Sequence, residues 1–152
     1  MLRVSKLTDY ATVVMTVLAE AQTASNAVLS AQDLAERAHL EVPTVSKLLK
    51  QLAQAQLVES FRGVNGGYRL ARARERISLA DIVIAMEGPF GMTECSAHVG
   101  LCDHESHCGV RGNWRRVSDV IEMSLRQMTL AEMCRPAPAP KRPAIPVKLA
   151  TA

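Results

Sequence analysis

A mainly α fold with a small β wing is predicted, a winged helix-turn-helix followed by one long helix near the C-terminus. Three observations carry the prediction. Two apolar-periodic segments are joined by a short turn, a three-glycine hairpin follows them, and an apolar stripe runs along residues 113–128. With 152 residues and 48% hydrophobic content the chain can bury one core, so these elements belong to a single compact unit.

The first helix is read over residues 8–21, where Ala11, Val14, Met15, Leu18 and Ala19 fall on one face. Ser30 opens a short second helix, with Asp33 three residues on as its capping-box partner and Leu34 and Ala38 facing inward. A turn through residues 39–42 leads to Pro43, which suits the first helical position because an N–H there would have no intrahelical partner. The third helix buries Val45, Leu48, Leu49 and Leu52. That burial leaves Thr44, Ser46, Lys47, Lys50 and Gln51 on the open side, a polar and cationic stripe of the kind that reads a major groove.

Two short strands follow, residues 57–62 and 68–70, joined by Gly63-Val64-Asn65-Gly66-Gly67. Three glycines and an asparagine supply the positive-φ positions of a tight hairpin. Arg62 and Arg69 stand at its base and Asn65 in its loop. After a helix-turn-helix, such a hairpin reads as a wing whose cations reach the negative potential of a narrow minor groove. The charge distribution agrees. Net charge is only +3, yet residues 42–76 hold seven cations (Lys47, Lys50, Arg62, Arg69, Arg72, Arg74, Arg76) against Glu59 and Glu75, the excess expected of a phosphate-facing surface.

Ser78 caps a fourth helix over residues 79–87, which Gly88 and Pro89 end. Cys95, Cys102 and Cys108 follow in one Gly- and His-bearing loop with the spacing C-x6-C-x5-C. Nothing in the opening residues MLRVSKLTDY resembles an export signal, so a cytoplasmic location with reduced thiols is expected. Reduced, clustered cysteines are more often metal or cluster ligands than disulfide halves. Thiolate sulfur suits an iron-sulfur cluster, zinc or copper(I), and three Cys with His98, His104 or His107 would make a reasonable zinc site. Spacing leaves that choice open. Cys134, outside the group, reads as a free thiol. An enzyme with a Cys nucleophile is disfavoured, because no base with its orienting group and no Gly-rich phosphate motif can be assigned. Charge interrupts every apolar run before the roughly 20 residues a membrane span needs, so no membrane partner is expected.

The last helix carries Trp114, Val117, Ile121, Leu125 and Met128 on one stripe, with Val120 beside it. Such a stripe can pack onto its own domain or pair with a second copy, and twofold dimers are the usual partners of palindromic sites in double-stranded DNA. Beyond Cys134 the chain is Pro- and Ala-rich without apolar period and reads as a disordered tail. The predicted organisation is a DNA-binding domain over residues 1–87, a cysteine loop over 88–112, a dimerisation helix with a short end over 113–134, and the tail over 135–152.

Over residues 1–133 the sequence resembles the winged-helix iron-sulfur regulators that include the IscR, NsrR and SufR repressors. The carriers are KLTDYA, VPTVSKLLKQLAQAQLVES, RGVNGGYRLAR, ISLADIVIAMEG and the three-cysteine loop followed by Trp114. KLTDYATVV, MEGPFGMTEC and CGVRGNWRRV look most similar to proteobacterial regulators of the SUF iron-sulfur assembly operon. The resemblance implies a homodimer with one cluster per subunit on Cys95, Cys102 and Cys108, 2Fe-2S in preference to 4Fe-4S, acting as a repressor of cluster-assembly genes at a palindromic promoter site.

One position departs from that pattern. IscR-type members complete the cluster site with a His three residues after the third Cys, and here Arg111 stands there. NsrR-like members carry an Asp in the TDY motif that reaches the cluster of the other subunit. That likeness implies Asp9 in trans as the fourth ligand, with His98, His104, His107, water or a small thiol as alternatives. A nitric-oxide- or redox-responsive regulator and a zinc-binding regulator of the same fold are the competing readings.

Overall fold

The computed structural model describes residues 3–24, 28–98, 100, 102 and 107–135; His104 and residues 136–152 of the predicted tail lie outside them. Helix α1 (Lys6–Ala24) starts two residues before its apolar period, because the Ser5 hydroxyl accepts the Thr8 N–H at 3.2 Å and so closes the first turn. Its Ala11, Val14, Met15 and Leu18 are wholly buried. Helix α2 (Ala31–Ala38) carries the expected capping box: Ser30 Oγ accepts the Asp33 N–H at 3.1 Å and the Asp33 carboxylate accepts the Ser30 N–H at 3.1 Å. Helix α3 (Val42–Gln54) begins one residue before Pro43, which takes the second helical position, equally free of any need to donate. Val45, Leu48, Leu49 and Leu52 form its buried face.

Strands β1 (Val58–Phe61) and β2 (Gly67–Leu70) pair antiparallel, with Val58 opposite Leu70 and Phe61 opposite Gly67. The wing is also stitched to the segment before α2, since Leu29 and Tyr68 exchange backbone hydrogen bonds of 3.0 and 2.8 Å. A Cβ at Gly67 would lie 2.4 Å from the Leu29 carbonyl oxygen, so only glycine admits this approach. A short 3-10 turn (Arg74–Arg76) leads to α4 (Leu79–Glu87), capped by Ser78 as predicted, with Asp81 completing a capping box.

The C-terminal part adds a four-residue helix α5 (Glu94–Ala97) in the cysteine loop, then α6 (Arg111–Gln127) and a last turn α7 (Leu130–Met133). Neither α5 nor α7 is expected from apolar period. Helix α7 nevertheless returns to the core. The Leu79 N–H donates to Met128 O and the Leu130 N–H to Ile77 O, both at 2.8 Å, and Leu130 is completely buried. Burying one such side chain is worth about 1.5–3 kcal/mol, enough to pin the end of α6 beside the start of α4. Among the described residues, no helix is long and apolar enough to cross a membrane.

Candidate nucleic-acid interface and cysteine loop

Once Val45, Leu48 and Leu49 enter the core, the 100° step of the helix turns Ser46, Lys47 and Lys50 outward, and all three are exposed; Thr44 is half-buried. Gln51 is placed otherwise. Helix α4 packs against α3, and Gln51 lines a groove with Leu57, Arg72, Asp81 and Ile84. Its Oε1 is out of solvent, with no hydrogen-bond partner among the described residues. Periodicity assigned Gln51 to the open stripe because it treats the helix in isolation, whereas a neighbouring helix covers that edge.

The wing divides its cations in the same manner. Arg62 and Asn65 are exposed. Arg69 donates through Nη2 and Nε to Glu59 Oε2 at 3.0 and 3.1 Å, with its guanidinium 4.6 Å from the Phe61 ring centre. Glu59 is its cross-strand partner, so the register itself brings the two charges together. An exposed pair of this kind adds little stability, but it neutralises one cation of the wing. Lys47, Lys50 and Arg62 make no ion pair among the described residues, and α3 touches β1. Exposed cations without a partner charge, on α3 and just after β1, are chemically suited to meet phosphate.

Cys95, Cys102 and Cys108 are half-buried free thiols, with Cys95 on α5 and the other two in the following loop. Ser118, the one fully buried residue of α6, fastens the start of this loop: its Oγ accepts the Met92 N–H at 3.0 Å and donates to Trp114 O at 2.9 Å. Arg111 donates from Nε to the Cys95 carbonyl at 3.5 Å. The residue that replaces the expected histidine therefore holds the loop's backbone. His98 and His107 are exposed.

A second fastening joins the loop's root to the start of α1. Glu87 accepts hydrogen bonds from the Thr8 hydroxyl and from the Ser5 N–H, the latter at 3.2 Å, and these bonds hold its carboxyl below the ordinary carboxylate range. Asp9, the next residue after Thr8, is exposed beside a groove of about 640 Å³ that Val4, Leu79, Val83, Leu125 and Met133 also line. Cys134 is set apart. Burial pushes its thiol above the ordinary value, and it packs against the core near Thr16.

Three unpaired thiols supply the soft donors that an iron-sulfur cluster or zinc accepts, so the donor set fits either group. Among the described residues, no three His, Cys, Asp or Glu side chains come together closely enough to hold a metal. Sequence reasoning missed the Ser118 and Glu87 fastenings, which join residues far apart in the chain.

Comparison with known proteins agrees with this architecture. Residues 4–136 match the Rrf2 family, described as iron-dependent transcriptional regulators. The HTH-type transcriptional regulator IscR of Cereibacter sphaeroides is 31% identical over 136 residues, covering 86% of this chain and 88% of that protein. Among solved structures, T. potens IscR is 32% identical with a TM-score of 0.64, covering 87% of this chain and 85% of that one. CymR, the global cysteine regulator of B. subtilis, is 27% identical with a TM-score of 0.68, over 88% of this chain and 97% of that one. These relatives are transcriptional regulators rather than enzymes, and the winged helix is a DNA-binding fold. With its recognition helix, wing and C-terminal helix matched across nearly its whole described length, the chain belongs to the Rrf2 family of transcriptional regulators.

Proposed function

We propose that this regulator is a homodimeric repressor of iron-sulfur cluster assembly genes, which binds a palindromic promoter site and reads cluster supply through a cluster held by Cys95, Cys102 and Cys108. The observation that carries the reading is the loop: three unpaired, half-buried thiols at C-x6-C-x5-C spacing, in the same chain as an exposed cationic recognition helix. Likeness to two IscR proteins supports the cluster over zinc. The apolar surface of α6 supports a dimer, since Trp114, Val117, Val120 and Met123 are 42–60% exposed on the single chain.

Cys95, Cys102 and Cys108 would hold a 2Fe-2S cluster there, which would supply thiolate-bound iron sensitive to cluster supply and oxidants. Asp9 of the partner subunit completes the ligand set, a role that its exposure beside a groove supports. The protein's own residues make the signal mechanical. Ligation selects the loop arrangement in which the cysteines converge, and it shifts that equilibrium by no more than its difference in affinity between arrangements. Because Ser118 fastens the loop to α6 and Glu87 fastens its root to α1, the selected arrangement sets how two α6 helices pair and how far apart the two α3 helices stand.

Anaerobic purification followed by a visible spectrum and assays of iron and acid-labile sulfide tests the reading. The wild type is expected to be coloured, Cys102→Ala colourless and Cys134→Ala unchanged. Asp9→Ala should remain dimeric but bleach faster in air. A full chromophore in Cys102→Ala rejects the ligand assignment, and bound zinc without sulfide favours the zinc-binding alternative.

A further inference from the structure

Around Cys95 the hydroxyl protons can be accounted for one by one. The Thr93 hydroxyl donates to Ser96 Oγ at 3.1 Å and lies 3.3 Å from Cys95 Sγ, a contact in which either atom can be the donor. The Ser96 hydroxyl points its proton at the Thr93 carbonyl, 2.8 Å away, and its oxygen already accepts the Thr93 N–H at 2.9 Å. Ser118 gives its proton to Trp114 O at 2.9 Å and accepts the Met92 N–H at 3.0 Å; its oxygen stands 3.3 Å from Ser96. Two of the three hydroxyls are therefore committed to carbonyls. Thr93 alone gives its proton to no carbonyl: it donates to the Ser96 oxygen, which already has a donor in the Thr93 N–H, and the Cys95 sulfur is the other acceptor within its reach. Once Cys95 is a thiolate it can only accept, and a charge-assisted bond outweighs a neutral one at similar distance.

We propose that Thr93 donates its hydroxyl hydrogen bond to the Cys95 sulfur, held in place by Ser96 and by Ser118 of α6, and is thereby a positioning residue that sets how readily a group ligated by Cys95 is reduced and released. The inference rests on Cys95 being a ligand, as argued above. Hydrogen bonds to ligand sulfurs are one of the levers that tune cluster potentials, and partners one step behind the ligands commonly change retention as well. Reduction by dithionite adds one electron to the cluster while the dithionite is oxidised to sulfite. The added negative charge spreads onto the thiolates, where a donor stabilises it. Removing the donor therefore makes the potential more negative.

The test compares anaerobically prepared wild type, Thr93→Val, Thr93→Ser and Ser118→Ala by mediated redox titration and by the rate of bleaching in air, with circular dichroism to follow the fold. Thr93→Val, nearly isosteric but without a donor, should show a more negative potential and bleach on the order of tenfold faster. Thr93→Ser, which keeps the hydroxyl, should match wild type, and Ser118→Ala, which keeps it on a loosened loop, should fall between. A Thr93→Val protein with wild-type potential and bleaching overturns the proposal, as does a Thr93→Ser protein that behaves like Thr93→Val. Were Thr93→Val not to fold, unchanged bleaching in Ser118→Ala would overturn it instead. A wild type that takes up no cluster would refute the ligand reading itself, a result distinct from any of these.

Discussion

Helices α3 and α6 are both amphipathic, yet α3 buries Val45, Leu48, Leu49 and Leu52 completely, whereas α6 fully buries only Ser118 and leaves an apolar flank in solvent. The difference separates a helix whose apolar face is covered within one chain from a helix whose apolar flank is not. Helix α3 has α1, α2 and α4 around it, so its apolar face is satisfied internally and its cations remain free for a partner of opposite charge. Helix α6 packs on one side against α4 and α5; Ser118, midway along it, holds the start of the cysteine loop, and the Met128 and Leu130 backbone bonds join the segment after its C-terminal end to the root of α4. Its exposed flank is where the proposed second copy would pack, and the cysteine loop is where the proposed cluster would bind.

Four substitutions would break or sharpen that contrast. Leu48→Ala opens a cavity in the fully packed reader and should cost about 2–5 kcal/mol, read from the midpoint of urea unfolding. A loss below 1 kcal/mol would mean that α3 is held less tightly than its burial implies. Val120→Glu places a charge on the open flank of α6, where the side chain is 60% exposed. Its expected effect is on association: sedimentation should shift from dimer to monomer while the helical circular dichroism is retained. A variant that stays dimeric would remove this flank from the interface.

A smaller effect is expected at Lys50, exposed and without an ion pair among the described residues. Lys50→Ala should weaken binding to all DNA sequences alike and lower the salt slope of the affinity by about one. Loss confined to one sequence would instead make Lys50 a base reader. The smallest is Glu87→Gln. Hydrogen bonds from Thr8 and Ser5 hold this carboxyl below its ordinary value in the folded protein, so its ionised form favours folding above the unfolded-state value, and the benefit fades as pH falls through the folded one. The stability gap between wild type and Glu87→Gln should thus be present at pH 7 and close in acid. A gap of constant size in urea unfolding at pH 7 and pH 3 would show that shape, and not charge, makes the fastening matter.

The same contrast explains what could be read in advance. Ser30 with Asp33 announced the start of α2, and Ser78 that of α4, because a helix cap is complete within four residues. Thr129 with Glu132 carried the same signal for α7, which went unread because a four-residue helix has no period to confirm it. Gln51 and Arg69 were assigned to the DNA face from position alone. One lies where α4 packs against α3, and the other is claimed by Glu59 across the hairpin, a pairing that follows once the strand register is known.

The sequence by itself determined the helix faces, the caps, the glycine wing and the spacing of three cysteines, because each depends on residues within a turn or a hairpin of one another. Only the tertiary structure decided which cations stay uncompensated, which flank of α6 is left open and how the cysteine loop is fastened. Those outcomes rest on contacts such as Met92 with Ser118, 26 residues apart, and Ser5 with Glu87, 82 apart. A one-dimensional pattern can show that a side chain needs a partner, but which partner arrives is set by how the elements pack.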